Sequence, residues 1–131
     1  MRNKKYLQRG QSLVEFALLL PLLLLILVLL FDLGRAVYYY SVIHNAAREG
    51  ARYGIISPTD DAGIIAAAQA KVVGLDQSNL FITPIETKTE TEWYITVSVS
   101  YDFDLVTPLI DGFFGGNPLT LQTQSSMQVE G

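Results

Sequence analysis

Residues 10–31 read GQSLVEFALLLPLLLLILVLLF, and this stretch decides the fold. After Glu15 it contains no charged residue, and its apolar side chains cover every side of a helix instead of one stripe. Counted from Leu13, the apolar run approaches the ~20 residues that an α-helix needs to cross a bilayer. We therefore predict a transmembrane helix over residues 11–31, with Glu15 as its one charged side chain.

Charge is distributed unevenly on the two sides of this run. Residues 1–10 carry four Lys and Arg and no acid, whereas residues 32–131 carry five Lys and Arg against 12 Asp and Glu, a net charge of −7. Because basic flanks stay on the cytoplasmic side of a membrane, we expect a basic leader, 1–10, on the inside and an extracytoplasmic domain, 32–131, on the outside. No basic patch follows the run, so we expect no nucleic-acid partner.

A cleaved secretory signal is the alternative interpretation of the N-terminal segment. The apolar region of such a signal is usually ~7–15 residues long and is followed by a small-x-small cleavage motif. Here the run is longer and Asp32-Leu33-Gly34-Arg35 follows it. We therefore favour a helix that is retained.

Helical spacing continues beyond the membrane run. Small and apolar residues recur three and four positions apart, which predicts one helix from Gln11 to about Ile56, ~69 Å long, with a kink rather than a break at Pro21. The helix carries a stripe of small residues that favours close packing: Ala47, Gly50, Ala51 and Gly54. We favour packing against the chain's own sheet, and close approach of another subunit is the alternative. Arg48, Glu49 and Arg52 are interpreted as a solvated, ion-paired face.

The rest of the chain predicts a second helix and then strands. Residues 62–73 have the pattern of a short helix, and an alternation of period two follows. It predicts three strands, at about 80–86, 92–103 and 119–129, separated by a hairpin connection and by a loop, Pro108 to Pro118, that is rich in glycine and aromatic residues. The fold class is therefore α+β, with a three-stranded antiparallel sheet that needs the long helix as a cover.

The sequence shows no catalytic constellation, although carboxylate pairs occur as in any acidic domain. It has no cysteine and one histidine, His44, which we interpret as a partly buried polar residue beside Tyr38-Tyr39-Tyr40. A calcium site at Asp102 and Asp104, with Asp111, has no glycine-spaced loop to support it, and we interpret these residues as solvated acids at a strand end. We predict no catalytic residue, no metal and no cofactor, and hence a protein that is not an enzyme.

The start of the chain resembles a known processing site. Gly10-Gln11-Ser12-Leu13-Val14-Glu15-Phe16 is similar to the site at which type IV pilins and pseudopilins are cleaved. RGQSLVEFALLLPLLLLIL followed by FDLGRAVYYYSVIHNAAREGARYGI, about residues 9–56, resembles the TadE-like pseudopilins of tight-adherence (Flp) pilus systems. The resemblance implies a pilin-like architecture in which a long membrane helix continues into the small domain.

The resemblance also implies roles for individual residues. A prepilin peptidase would cut between Gly10 and Gln11, and Glu15, next to Phe16, would pair with the N-terminal amine of a neighbouring subunit during assembly. A carboxylate deep in a bilayer costs ~2.5–3.5 kcal/mol, and cleavage creates an amine, charged at neutral pH, one helical turn from Glu15. The alternative is that Glu15 merely caps the start of the helix near the interface, where the helix dipole favours an anion.

Three functions remain open at this point. The first is a pseudopilin of the cytoplasmic (inner) membrane that acts in Flp/Tad pilus assembly as a minor or initiating component. Its partners would be the prepilin peptidase, other pilins or pseudopilins, the assembly platform and the lipid bilayer. The second is the main subunit of a pilus filament, and the third is a membrane-anchored binding module that never enters a pilus.

Overall fold

The computed structural model of this protein describes residues 4–107, 112 and 115–130, with side chains from Gly10 onward. The apolar group Ile110 to Phe114 of the predicted loop therefore lies, apart from residue 112, outside the described residues. The elements, in chain order, are helix α1 (Lys4–Gly54), helix α2 (Asp61–Gln69), a short 3-10 helix (Gln77–Asn79), and strands β1 (Leu80–Lys88), β2 (Trp93–Phe103) and β3 (Leu119–Gln128). This arrangement confirms the predicted α+β fold class.

Helix α1 is longer than expected at its N-terminal end. It begins at Lys4 instead of Gln11 and ends at Gly54 instead of Ile56. The leader is rich in Lys, Arg, Gln and Leu, which have good helix propensity, so the helix continues back through Gly10. Pro21 lies inside the helix and does not interrupt it.

The three strands form one antiparallel sheet in the order β1-β2-β3. Val97 in the central strand faces Pro84 on one side and Ser125 on the other. Proline cannot donate a backbone hydrogen bond, and β1 is an edge strand, where this is tolerated. In β2 every second side chain is buried, as the period of a strand requires: Ile95, Val97, Val99, Tyr101 and Phe103. The strand ends differ from the predicted ones by one or two residues. The largest difference is in β1, which continues to Lys88.

The core lies between this sheet face and the second half of α1. Ile43 of α1 is fully buried in the same cluster as Val97 and Val99 of β2. Helix α2 adds Ile64 to this cluster, and a smaller cluster joins Ala68 of α2 to Ala46 and Val72. The domain is thus a layer of two helices on one face of a three-stranded sheet.

Small residues allow α1 to approach its neighbours closely. A Cβ atom on Gly50 would lie 3.2 Å from Cβ of Ala68 and 3.2 Å from Cγ1 of Val97, and one on Gly54 would lie 2.6 Å from Cγ2 of Ile95. Ala47 and Ala51, in the same stripe, are fully buried. Within this one chain the stripe contacts α2 and β2, and no second subunit is required to bury it.

Helix α2 begins at a side-chain cap and ends earlier than predicted. Asp60 accepts a hydrogen bond from the backbone N–H of Gly63 at 3.0 Å and another from the hydroxyl of Tyr53 at 2.9 Å, which joins the end of α1 to the start of α2. After Gln69 the backbone N–H groups of Lys71 and Val72 donate to carbonyls three residues back. This 3-10 pattern tightens the last turn, so the α-helix does not reach Val73.

The short 3-10 helix that precedes β1 has its own cap. The backbone N–H of Ser78 donates to Asp76 at 3.0 Å, and the Ser78 hydroxyl donates to the same oxygen at 2.8 Å. These two bonds, the backbone one first, lower the pKa of Asp76 below its usual value because they favour the charged carboxylate. The cap directs the chain from the helical layer into the edge strand.

Candidate functional site

The first half of α1 is not covered by any other described part of the chain. Its leucines are exposed, with 70 % of Leu13 and 75 % of Leu18 accessible. Among the described residues, one helix is long and apolar enough to cross a membrane, within Gly10–Gly54, and none of its most apolar stretch is buried. Soluble monomers rarely expose a continuous apolar surface of this size. By length and composition α1 is therefore suited to anchor the chain in a bilayer.

The residues expected to be processed lie together at the start of this exposed helix. Gln11 and Glu15 are four residues apart and thus on one face, and Nε2 of Gln11 donates to Oε1 of Glu15 at 3.3 Å. A Cβ atom on Gly10 would meet nothing within 4 Å. Phe16, beside the carboxylate, is 62 % exposed. All four are on the surface of the isolated chain, where an enzyme or a neighbouring subunit can reach them.

The structure reveals a buried carboxylate that the sequence analysis missed. Asp32, directly after the apolar run, is 1 % exposed. It accepts hydrogen bonds from the backbone N–H of Val106 at 3.0 Å, from the backbone N–H of Thr107 at 2.7 Å and from the Thr107 hydroxyl at 2.6 Å. Nη1 of Arg35 lies 3.3 Å from its other oxygen. We call these four residues the Asp32 latch, because they hold the chain that follows β2 against α1.

An aromatic cluster surrounds the cation of this latch. The guanidinium of Arg35 lies 5.0 Å from the ring centre of Phe103 and 5.6 Å from that of Tyr39. The two rings meet edge to face, 5.5 Å apart. Cation–π contacts of this kind add to the ion pair, so Arg35 connects the Asp32 carboxylate to the aromatic side chains of the core.

The only sequence signal for the latch is local. An acid immediately after a membrane run, three residues before an arginine, is consistent with an ion pair on one helix face. The backbone donors of Val106 and Thr107 lie 74 and 75 residues further along the chain, and nothing in the sequence connects them to Asp32.

His44 connects α1 to the far edge of the sheet. Its Nδ1 lies 3.1 Å from Oγ1 of Thr123 in β3, and its ring stacks on Tyr40 with centres 6.3 Å apart and planes 9° from parallel. The neighbouring tyrosine was expected, but the prediction of partial burial is wrong, because the histidine lies at the rim of the helix–sheet contact and is exposed.

A shallow groove beside α1 collects positive charge. It is lined by Asn45, Arg48, Glu49, Arg52, Lys71 and Met127. The interpretation of Arg48, Glu49 and Arg52 as ion-paired is not supported, since the one salt bridge within the described part of the chain joins Asp32 and Arg35. The groove thus holds three cations and one acid, in a domain that is otherwise acidic.

The described residues contain no group of three or more His, Asp or Glu side chains that could hold a metal ion. Asp102, interpreted as a solvated acid, accepts a hydrogen bond from the Thr120 hydroxyl at 2.9 Å, across the β2–β3 pair.

The comparison with protein families identifies the same segment that contains these features. The profile of the family described as TadE-like protein matches residues 10–52, from Gly10 through the membrane run, Asp32 and most of the small-residue stripe. Neither the curated proteins nor the solved structures give a significant match. The match over residues 10–52 supports a TadE-like protein of the Tad pilus system.

Proposed function

We propose that this chain is a pseudopilin: a single-pass subunit of the cytoplasmic membrane that a prepilin peptidase cleaves after Gly10 and that acts in Tad pilus assembly as a minor or initiating component. The observation that carries the proposal is the position of Glu15. Its carboxylate is exposed on an apolar helix, next to Gly10-Gln11, within the segment that matches the TadE-like family.

The electrostatics of Glu15 support a role that begins after cleavage. A charge in the hydrocarbon region is costly unless it is paired. In the uncleaved chain Glu15 accepts a hydrogen bond from the Gln11 side chain, a neutral donor. Cleavage would turn the Gln11 backbone nitrogen into a charged amine. The amine of an adjacent subunit, at the same membrane depth, would then compensate the carboxylate.

Gly10 suits a cleavage position for a second reason. In the interior of a helix, glycine is less favourable than alanine by about 1 kcal/mol, so the helix is locally weak there. No side chain covers the position. A peptidase that needs an extended backbone would therefore open α1 more easily at this glycine than at the residues on either side of it.

Cleavage is the first prediction. In cells with an active prepilin peptidase, mass spectrometry of the membrane-extracted protein should find a mature chain that begins at Gln11. Gly10→Leu should leave Met1 in place, because a bulky side chain would occupy the position next to the cut. Gly34→Leu is the matched control, since Gly34 also lies in α1 with nothing within 4 Å of its Cβ position, and it should be processed normally. An intact Met1 in the unmodified protein would contradict the proposal.

The second prediction separates processing from assembly. Glu15→Gln keeps the shape and the hydrogen-bonding ability of the side chain but removes its charge, so cleavage should proceed while pilus number falls roughly tenfold or more, which corresponds to the loss of about 1.4 kcal/mol of pairing. Pili are counted by electron microscopy and the N-terminus is checked by mass spectrometry. Glu92→Gln, an exposed acid of the domain, is the control and should leave both unchanged. Normal piliation of Glu15→Gln would remove the pairing role.

A second candidate function has one observation in its favour. Arg48, Arg52 and Lys71 line an open groove without ion-pair partners among the described residues, which would suit a membrane-anchored module that binds an acidic partner. The composition of sheared filaments distinguishes the candidates. A main subunit would dominate the filament, a minor one would be present in traces, and a binding module would stay in the membrane fraction.

A further inference from the structure

The exposed apolar surface of the protein continues past the end of the membrane run at Phe31. Six side chains at the base of the domain, which we call the juxtamembrane ring, are each 47–67 % exposed: Leu33, Val37, Tyr38, Tyr40, Val73 and Val106. Four belong to α1, one follows α2 and one follows β2. The ring adjoins Leu30 and Phe31, which are exposed to a similar degree, so the apolar surface of the anchor passes without a gap into that of the domain.

The length of α1 places this ring at the outer interface of a bilayer. At ~1.5 Å per residue, residues 13–31 extend about 28 Å, close to the ~30 Å of the hydrocarbon core. A bilayer with its headgroups is ~40–45 Å thick, so about four or five residues after Phe31 cross the headgroup layer, and the backbones of Tyr38 and Tyr40 lie just outside it. Tyrosine is enriched where membrane and water meet, and helical side chains lean toward the N-terminus. The rings of Tyr38 and Tyr40 therefore reach back toward the membrane.

The Asp32 latch lies next to the end of the apolar run and explains how an acidic residue is accommodated at that position. Asp32 follows the hydrocarbon boundary directly, where an exposed carboxylate would face lipid. Instead it is 1 % exposed and saturated by donors from Val106, Thr107 and Arg35. The backbone N–H of Val106 points to the carboxylate while its side chain is 57 % exposed. The latch thus removes the Asp32 carboxylate from the surface of α1 and leaves the apolar side chain of Val106 exposed beside it.

The chain after α2 reaches this level as well. The Tyr38 hydroxyl lies 3.5 Å from the carbonyl oxygen of Val73, which is 67 % exposed. Apolar side chains from three separate parts of the fold therefore surround α1 between the levels of Asp32 and Tyr40.

From this convergence we infer that the domain rests on the bilayer: Tyr38 and Tyr40 mark the outer membrane boundary, and Val106, held by the Asp32 latch, lies in the interfacial layer of the lipid. The occupant of the juxtamembrane ring is the lipid surface. This inference rests on the proposed membrane insertion of α1 but concerns the domain, which would otherwise stand clear of the bilayer.

The absence of cysteine from the chain makes a direct test possible. Single variants Leu24→Cys, Val73→Cys, Val106→Cys and Thr59→Cys of the full chain are spin-labelled and reconstituted in phosphatidylcholine vesicles with a minor fraction of phosphatidylglycerol. Collision with oxygen, which partitions into lipid, is compared with collision with a water-soluble nickel complex. Leu24 reports the hydrocarbon, and Thr59, beyond the far end of α1, reports water.

We expect Val73→Cys and Val106→Cys to give ratios of oxygen to nickel accessibility between those of Leu24→Cys and Thr59→Cys. The ratio at Val106 should be the nearer of the two to that of Leu24. Water-like ratios at Val73 and Val106, with Leu24 in lipid, would overturn the inference while leaving membrane insertion intact. A water-like Leu24 would instead overturn insertion and the inference with it. The two failures are therefore distinguishable.

A second pair of variants tests the latch. Thr107→Val in the Val106→Cys background removes the hydroxyl donor but keeps both backbone donors. It should shift the accessibility ratio of the label at position 106 toward that of the water reference. Asp104→Ala, two residues from the label and exposed, is the matched control and should leave it in place. Trp93 fluorescence checks that both variants are folded. An unchanged ratio in a folded Thr107→Val variant would overturn the role of the latch in holding Val106 on the lipid.

Discussion

Replacing Asp32 with alanine is expected to lower the free energy of unfolding of the domain by about 3 kcal/mol, since each buried donor that loses its acceptor costs ~1–3 kcal/mol and the remaining partner of the ion pair, Arg35, is 28 % exposed. The substitution leaves the backbone N–H groups of Val106 and Thr107 and the Thr107 hydroxyl without their acceptor. Each buried donor left unsatisfied is costly. The segment after β2 then loses its attachment to α1.

The measurement uses the single tryptophan of the chain. Trp93 is partly buried against the core, so its fluorescence reports denaturant unfolding of the domain in detergent micelles, where the membrane helix stays intact. Thr107→Val removes one donor to a charged acceptor and should cost about 1.5–3 kcal/mol. Asp104→Ala, an exposed acid of the same segment, should stay within about 0.5 kcal/mol of the unmodified protein. If Asp32→Ala lowered the free energy of unfolding no more than Asp104→Ala does, the latch would not stabilise the domain.

The second large effect is expected at Gly54. Gly54→Val should destabilise the domain by about 3 kcal/mol, at the upper end for overpacking, because a Cβ atom there would lie 2.6 Å from Cγ2 of Ile95 and 3.2 Å from Cδ1 of Ile64. Ile95 is fully buried in the central strand and cannot move aside without shifting the sheet. The helix end would have to lift from both α2 and β2.

Gly34→Val is the matched control for this variant. Gly34 lies in the same helix, and its Cβ position meets nothing within 4 Å. Thermal unfolding followed at Trp93 should show a midpoint more than ~10 °C lower for Gly54→Val, since ~1 kcal/mol shifts a domain of this size by about 4–8 °C. The control should unfold close to the unmodified protein. Equal midpoints for the two variants would show that α1 does not pack as closely on Ile95 as the structure has it.

These two sites lie at opposite ends of the same contact between helix and domain. Gly54 joins the membrane-distal end of α1 to the start of β2, and Asp32 joins the membrane-proximal end to the chain that leaves β2. In the pseudopilin role that we propose, the membrane helix mediates assembly, and the domain has to move with that helix. Both contacts provide that rigidity, which is why their loss should affect assembly as well as stability.

Several features of this protein follow from short-range patterns and were predicted from them. A helix long and apolar enough to cross a membrane is visible in the uninterrupted apolar run, because a bilayer requires length and apolarity. Strand β2 is visible in the alternation from Trp93 to Phe103, since successive side chains of a strand point to opposite faces. The residues from Gly10 to Tyr53 indicated a resemblance to the TadE-like family without any structure.

Other features depend on which surfaces meet. The groove of Arg48, Arg52 and Lys71, which have no ion-pair partner in the part of the chain that the structure describes, depends on the positions of α1 and α2 side by side. The burial of Asp32 depends on the docking of the chain that follows β2 against α1. Neither is encoded in the spacing of one element.

Periodicity and charge, which depend only on neighbouring residues, were enough to predict an α+β protein with a long apolar helix and a carboxylate five residues after Gly10. Only the folded chain shows that Asp32 is buried, that the small-residue stripe packs on α2 and β2 of its own chain, and that apolar side chains from three segments surround α1 just beyond the apolar run. The physical reason is that hydrogen-bond partners 74 and 75 residues apart are brought together only when the sheet docks on the helix.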